Sequence, residues 1–144
     1  MYRYPVVETA GRIEYIFNSV TSLTFSPGRA RHNGGYSKRG IVEALIRIKR
    51  LVIARKVLFT EKADLEMARD ALTPELVYEA ILNAPVVFKT IQSRRSGAGK
   101  TEWLYIIKGL TFDGLAVYTK GKILKYQGSD VFYVLISSKK STDV

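Results

Sequence analysis

The spacing of apolar residues divides the chain into three parts. Residues 1–40 sustain neither a helical nor a strand period, and the stretch 26–35 is rich in Gly, which is typical of a flexible linker. Residues 41–85 place apolar side chains at helical spacing, and residues 86–138 alternate them as strands do. We therefore expect a flexible basic N-terminal extension at 1–40 and one α+β domain at 41–144.

Two or three helices are expected at the beginning of the domain. The first carries one apolar stripe, formed by Ile41, Leu45, Ile48 and Val52. After a short extended piece at 56–59, Thr60 is a plausible N-cap for a helix that ends near residue 69. Thr73, followed by Pro74 and Glu75, predicts another helix that ends near residue 82, because Thr caps and Pro fits the first turn.

Four strands are expected where Val, Ile, Tyr, Phe and Thr become frequent, at 86–92, 102–110, 115–120 and 131–138. Asp113-Gly114 is a hairpin signal, and Lys120-Gly121-Lys122 predicts a second turn. Short connections imply antiparallel neighbours. The expected fold is therefore α+β, with two or three helices packed on one face of a small antiparallel β-sheet.

Charge is distributed unevenly between these two layers. The helical part, 41–85, carries seven Lys and Arg and seven Asp and Glu, whereas 86–144 carries ten against four. The whole chain has a formal net charge of +10, which favours RNA, DNA, an acidic protein or a membrane surface as partner. A neutral helical layer behind a basic, aromatic sheet indicates a face for polyanions, since cations neutralise phosphates and aromatic rings stack on bases.

Missing residue types exclude several classes of chemistry. The chain has no cysteine and one histidine, His32, which rules out a cysteine nucleophile, a thiolate metal site and a histidine pair. Glu61, Asp64 and Glu66 are interpreted as a solvated helix face rather than a metal site, so no metal or other cofactor is expected. No apolar run reaches 18 residues, so we expect no membrane-spanning helix and a cytoplasmic protein.

Basic and phenolic side chains in the strands are candidates for binding or cleaving a polyanion. Lys89 interrupts an apolar strand and is either solvated or held near other cations, where it could act as a base. Tyr118 and Lys120 share a face by alternation, so they form either an exposed pair or a phenol and an ammonium around one phosphate. Lys139 and Lys140 follow the last strand as a solvated basic end or as phosphate contacts.

Gly99-Lys100-Thr101 superficially matches the end of a phosphate-binding loop. The full motif requires a glycine five residues before its last glycine, where this chain has Arg94, and it joins a strand to a helix rather than two strands. We interpret the segment as a hairpin loop whose cations, Arg94, Arg95 and Lys100, contact a phosphate backbone.

Six segments of the domain form an ordered set: Ile48-Lys49-Arg50-Leu51-Val52, Phe59-Thr60-Glu61-Lys62-Ala63, Val86-Val87-Phe88-Lys89-Thr90, Thr101-Glu102-Trp103, Val117-Tyr118-Thr119-Lys120 and Val134-Leu135-Ile136-Ser137-Ser138-Lys139. Together they resemble the MqsR-like toxins and a related group of small domains with an F-T-x-H-A motif. Both groups are similar to the wider RelE/MqsR-type fold of bacterial toxin–antitoxin systems. The resemblance covers residues 42–140.

The resemblance implies a metal-independent endoribonuclease that cuts mRNA. In such enzymes the RNA 2′-hydroxyl attacks the adjacent phosphorus and a cyclic phosphate results, which requires positioned charge and one poised base. Carried over by position, Lys89 would be the base or a phosphate clamp, Tyr118 a proton carrier or orienter, and Lys139 a phosphate contact. Lys120 and Arg94 or Arg95 would stabilise the charge of the transition state.

Two departures from these families leave the activity open. Leu104 stands where MqsR-like toxins have a glutamine, and Lys62 stands where the other group has a histidine. Leucine cannot hydrogen-bond a phosphate, so substrate handling differs or cleavage is weak or absent, unless the nearby Gln92 substitutes.

Three hypotheses follow from these residues. The first is an mRNA endonuclease toxin, acting by sequence or on the ribosome, with a cognate antitoxin of zinc-ribbon or helix-turn-helix type that masks the basic face. The second is a non-catalytic RNA- or ribosome-binding module on the same fold. The third is a protein-interaction domain whose charge serves only solubility, which the charge asymmetry disfavours.

Overall fold

In a computed structural model of the chain, residues 37–94 and 101–142 are described. Within them lie three helices: α1 (Lys38–Ile53), α2 (Glu61–Arg69) and α3 (Pro74–Asn83). The strands are β1 (Val57–Phe59), β2 (Lys89–Arg94), β3 (Thr101–Leu110), β4 (Ala116–Tyr126) and β5 (Ser129–Lys140). Most of the expected extension therefore lies outside the described residues.

A serine or threonine hydroxyl caps the N-terminus of each described helix. The hydroxyl oxygens of Ser37, Thr60 and Thr73 accept from the backbone N–H three residues later, at 3.1–3.3 Å. These bonds satisfy N–H groups that have no partner within the helix. The predicted starts at Thr60 and Thr73 are confirmed. In contrast, α1 begins at Lys38, within the expected extension.

The strands form one sheet in the order β1-β5-β4-β3-β2. β2 to β5 pair with one another as antiparallel neighbours, as expected. The extended piece expected at 56–59 forms β1, which pairs in parallel with β5 and places Leu58 opposite Val134. The fold is therefore α+β as predicted, with a mixed sheet because β1 joins its edge.

The turn predicted at Lys120-Gly121-Lys122 is wrong, because these residues lie in the middle of β4. The ladder is irregular there, and β5 carries one extra residue opposite Gly121 as a β-bulge. A Cβ at position 121 would stand 2.7 Å from the ring of Tyr133, so the glycine provides space for that ring. The chain reverses instead at Gln127-Gly128, where φ is 49° and 78°, as a two-residue hairpin turn requires.

The three helices pack on one face of the sheet and enclose the main core. Its large, fully buried side chains include Tyr133, Phe59, Ile48, Met67 and Ile81. α3 lies so close to β3 that a Cβ at Gly109 would collide with the carbonyl oxygen of Ala80. Within the described ranges, none of the helices combines the length and apolar character needed to span a membrane.

Candidate nucleic-acid interface

The sheet has a second face, which points away from the helices. Side chains alternate along each strand, and Tyr105, Ile107, Val117 and Leu135 belong to the core under the helices. Their neighbours along the strands therefore point to the second face. One half of this face is apolar and consists of Leu58, Leu124, Phe132 and Val134.

The other half is basic. We call it the basic half-face, and its members are Lys89, Lys108, Tyr118, Lys120 and Lys139. They come from the beginnings of β2 and β4 and the ends of β3 and β5, which meet at one end of the sheet because these strands are antiparallel. Four positive charges therefore lie close together on one surface.

Three members of the basic half-face lie in register across neighbouring strands. Lys108 pairs with Tyr118, and Tyr118 pairs with Lys139. The Nζ of Lys139 lies 5.4 Å from the centroid of the Tyr118 ring, which is a cation–π distance. Lys120 lies two residues from Tyr118 on the same strand and face, as alternation predicts. One phenol thus stands among three lysines.

Lys89 lies on the same face but on the strand at the far edge of the sheet. It pairs with Ile106, which pairs with Lys120, so Lys89 and Lys120 are two strand spacings apart, about 10 Å. Three strand spacings, about 14 Å, separate Lys89 from Lys139. Tyr118 and Lys139 are therefore neighbours across the sheet, whereas the backbone of Lys89 lies two or three strands away from them.

Glu66 on α2 lies beside this group, although the sequence did not indicate it as a site residue. Its Oε2 accepts from the Ser137 hydroxyl at 2.6 Å and from the Ser138 N–H at 3.0 Å. Lys62 Nζ lies 3.7 Å from Oε1. The Glu66 side chain is only 13% exposed, so its assignment to a solvated helix face is wrong. The sequence did contain a signal that Glu66 is partly buried: it lies three residues after Ala63, which belongs to the inward-facing stripe of the helix.

The pKa of Glu66 is set by its own contacts, and its charge in turn affects the pKa of Tyr118. Burial acts to raise the pKa of Glu66, but the hydrogen bonds from Ser137 and Ser138 and the charge of Lys62 outweigh it, so the pKa is lowered. Burial raises the pKa of Tyr118, and the negative charge of Glu66 raises it further. At neutral pH the carboxylate is therefore ionised and the phenol is protonated, which makes Tyr118 a hydrogen-bond donor rather than a base.

Lys139 and Lys140, considered together in the sequence analysis, lie on opposite faces of β5. Lys140 pairs with Val117, which is buried under the helices, so its side chain points away from the basic half-face. Its backbone N–H donates to Asp70 of α2 at 2.8 Å. Within the described ranges, the part of β5 that extends beyond β1 has no neighbouring strand on that side. Its N–H groups donate instead to the carboxylates of Glu66 and Asp70. Of the two lysines, only Lys139 therefore belongs to the basic half-face.

Among the loop cations, only the backbone of Arg94 lies within the described residues, and it is far from the basic half-face. Arg94 pairs with Thr101 at the opposite end of β2, about 17 Å along the strand from Lys89. Arg95 and Lys100 lie outside the described residues. Their proposed contact with a phosphate backbone stays a prediction.

Leu104 and Gln92, the residue suggested to substitute for the missing glutamine, lie on different faces of the sheet. Leu104 is on the second face, where it pairs with Ile91. Gln92 pairs with Trp103, whose side chain packs against the core under the helices. Gln92 therefore points away from Leu104, so the idea that it replaces the missing glutamine is wrong. Lys62 is 63% exposed beside Glu66, at the margin of the basic half-face.

A further lysine of the second face carries a compensated charge. Lys122 Nζ lies 3.1 Å from Glu102 Oε1, and its side chain is only 11% exposed. This ion pair belongs with the apolar half, which is why we leave Lys122 out of the basic half-face.

In comparisons with protein families, curated proteins and solved structures, no family model, protein or structure matches this chain. The likeness to MqsR-like toxins therefore rests on the six sequence segments alone. What the geometry adds is a surface that can bind several phosphates and donate one phenolic hydrogen bond between them.

Proposed function

We propose that this protein is a metal-independent mRNA endoribonuclease, the toxin of a toxin–antitoxin pair, whose basic half-face binds the RNA. The observation that supports this function is the row Lys108–Tyr118–Lys139 across three strands, with Lys120 beside it. A phosphate above Tyr118 meets lysines on either side. The type of reaction is inferred from the resemblance, and a polyanionic ligand is inferred from the positive charge of the surface.

The reaction requires that the O2′–P bond forms and the P–O5′ bond breaks, with a 2′,3′-cyclic phosphate and a 5′-hydroxyl as products. Lys139 and Lys120 stabilise the additional negative charge on the phosphate oxygens, and Tyr118 donates a hydrogen bond to one of them. Solvent takes the proton from O2′ and returns one to O5′. Lys89, whose backbone lies two strand spacings from Lys120, acts as a clamp on a neighbouring phosphate.

Partners follow from the same resemblance. A cognate antitoxin of zinc-ribbon or helix-turn-helix type would cover the basic half-face with acidic side chains, and the ribosome could present the mRNA. Both would place the protein in the cytoplasm. Co-purification of the full chain with the product of a neighbouring gene would test the antitoxin directly.

A non-catalytic RNA- or ribosome-binding module is the second candidate. One observation favours it: Leu104 stands where the toxins have a glutamine. Such a module would use the same lysines without cutting the strand.

One cleavage assay separates the two candidates. The purified chain is incubated with a defined mRNA in EDTA, with and without ribosomes, and the new ends are mapped. We expect discrete cuts with 2′,3′-cyclic phosphates that Lys139→Ala abolishes and that Lys140→Ala, the matched change on the opposite face, leaves intact. Intact RNA in both conditions, together with salt-sensitive binding, would leave only the binding module.

A further inference from the structure

An exposed aromatic ring stands at the margin of the basic half-face. Phe88 directly precedes β2 and is 59% exposed. Its backbone N–H donates to the Ile106 carbonyl oxygen at 2.9 Å, which fixes the chain at this point. Lys108 Nζ lies 4.1 Å from the centroid of the ring. The ring is therefore held beside the cations without being part of the core.

The contact with Lys108 gives this ring a defined orientation. A cation over an aromatic ring occupies one of its faces, so the pair restricts the ring while most of its surface stays exposed. A single exposed phenylalanine is ordinary on a protein surface. An oriented ring that shares a lysine with the row Lys108–Tyr118–Lys139 is the arrangement that single-strand binders use, with bases on rings and phosphates on cations.

We infer that the ligand of the basic half-face is single-stranded RNA, one of whose unpaired bases stacks on Phe88 while the flanking phosphates contact Lys89 and Lys108. This inference rests on the proposed binding of RNA and adds its strandedness and a base-contacting residue. Bases within a duplex are already stacked on each other and cannot reach the ring. Phe88 is thus a specificity residue for single strands.

Binding of the full chain to three probes tests the inference: a fluorescent single-stranded RNA, a duplex of equal length, and inorganic polyphosphate, which has the charge without bases. Phe88→Leu keeps an apolar side chain but removes the ring. We expect it to weaken binding of the single strand by about 5- to 10-fold and to leave polyphosphate unchanged. Tyr126→Leu, which removes an exposed ring at the opposite end of the sheet, is the matched control and should change neither.

Phe88→Trp gives a second measurement that does not depend on affinity. The wild-type chain has one tryptophan, Trp103, which packs against the core and sets the background signal. We expect single-stranded RNA to quench the fluorescence of the Phe88→Trp variant beyond that background, and polyphosphate not to do so.

The possible failures are distinguishable. Wild-type protein that binds none of the probes would overturn the proposed function itself. Wild-type protein that binds RNA while Phe88→Leu binds the single strand equally well would overturn the stacking inference but not the proposed function. Equal loss of RNA and polyphosphate in Phe88→Leu would also overturn it, because the ring would then only hold Lys108 in place.

Discussion

Ser137 donates its hydroxyl hydrogen bond to Glu66 Oε2 at 2.6 Å, and this contact joins α2 to β5 at the margin of the basic half-face. The same carboxylate oxygen accepts the Ser138 N–H. Glu66 therefore has two roles: it satisfies the edge of β5 where β1 has ended, and it places a negative charge beside Tyr118. The second role can be measured separately from the first.

Glu66→Gln should lower the pKa of Tyr118 relative to the wild type. The glutamine oxygen can still accept from Ser137 and Ser138, but the charge that disfavours the phenolate is gone. The pKa should stay above the ordinary value for tyrosine, because burial is the larger cause of the shift. NMR titration of tyrosines labelled with ¹³C at Cζ measures it, with Tyr118→Phe to assign the signal.

Glu61→Gln is the control for this change, because Glu61 lies on the same helix but is exposed. It should leave the titration of Tyr118 as in the wild type. An unchanged pKa of Tyr118 in Glu66→Gln would show that the carboxylate only closes the strand edge.

Arg47 of α1 and Asp130 of β5 form a two-point ion pair that should make stability depend on pH. The Nε–Oδ2 and Nη2–Oδ1 distances are 2.6 and 2.7 Å. The hydrogen bonds from Arg47 are the main cause that lowers the pKa of Asp130, against the effect of burial. Asp130→Asn should reduce the free energy of unfolding at pH 7 by about 1–3 kcal/mol, measured by urea denaturation.

The difference in free energy of unfolding between the wild type and Asp130→Asn should depend on pH in one direction. Because the folded pKa of Asp130 lies below its unfolded value, the stabilisation is complete above about pH 4 and is lost as the pH falls through the folded pKa. The gap between wild type and Asp130→Asn should therefore close in strong acid. Glu43→Gln, which breaks the exposed pair with Arg39, is the control and should cost almost nothing. A gap that stays constant down to about pH 2 would contradict the assignment.

Gly109→Ala should destabilise the domain because it drives α3 away from β3. A Cβ at this position meets the backbone carbonyl of Ala80, which cannot rotate away as a side chain could. We expect a loss of about 1–3 kcal/mol or more in the free energy of unfolding. Gly114→Ala is a useful comparison: no atom lies within 4 Å of its Cβ, but φ is 83°, so it should cost about 1 kcal/mol through the backbone alone. Equal losses in the two variants would argue against the steric explanation.

The parts of the fold that depend on neighbouring residues could be predicted from the sequence. Thr60 and Thr73 cap helices because a hydroxyl can reach the N–H three residues later, whatever the rest of the chain does. The common face of Tyr118 and Lys120 follows likewise from strand alternation. These predictions are confirmed because the physics that decides them is local.

The candidate site depends on register and strand order, which local patterns do not determine. The distance from Lys89 to Lys139 is set by two strands that separate them, and no spacing in the sequence gives that order. Gln92 and Leu104 are on opposite faces only because of how β2 aligns with β3. The turn predicted at Gly121 was wrong because the sequence does not distinguish a glycine that provides space for Tyr133 from a glycine that forms a turn.

Lys139 and Lys140 offer the sharpest test of the basic half-face, because adjacent residues with the same charge lie on opposite faces of β5. Lys139→Ala should weaken binding to a single-stranded RNA and reduce the slope of log K against log salt by about 1, since one fewer counterion is released. Lys140→Ala should change the slope much less, because its side chain points away from Tyr118. Both variants remove one charge, so their net charge stays equal.

Fluorescence anisotropy titrations of the two variants over a range of salt concentrations provide these slopes. Lys140→Ala should unfold like the wild type in urea, since the backbone N–H of residue 140 still donates to Asp70. Lys139→Ala should lose at most about 1 kcal/mol, because its contact with the Tyr118 ring is removed. Equal reductions of slope in Lys139→Ala and Lys140→Ala would mean that the RNA follows the total charge of the protein rather than one face. A reduction confined to Lys139→Ala would instead tie the phosphate contact to the row Lys108–Tyr118–Lys139 on which the proposed function depends.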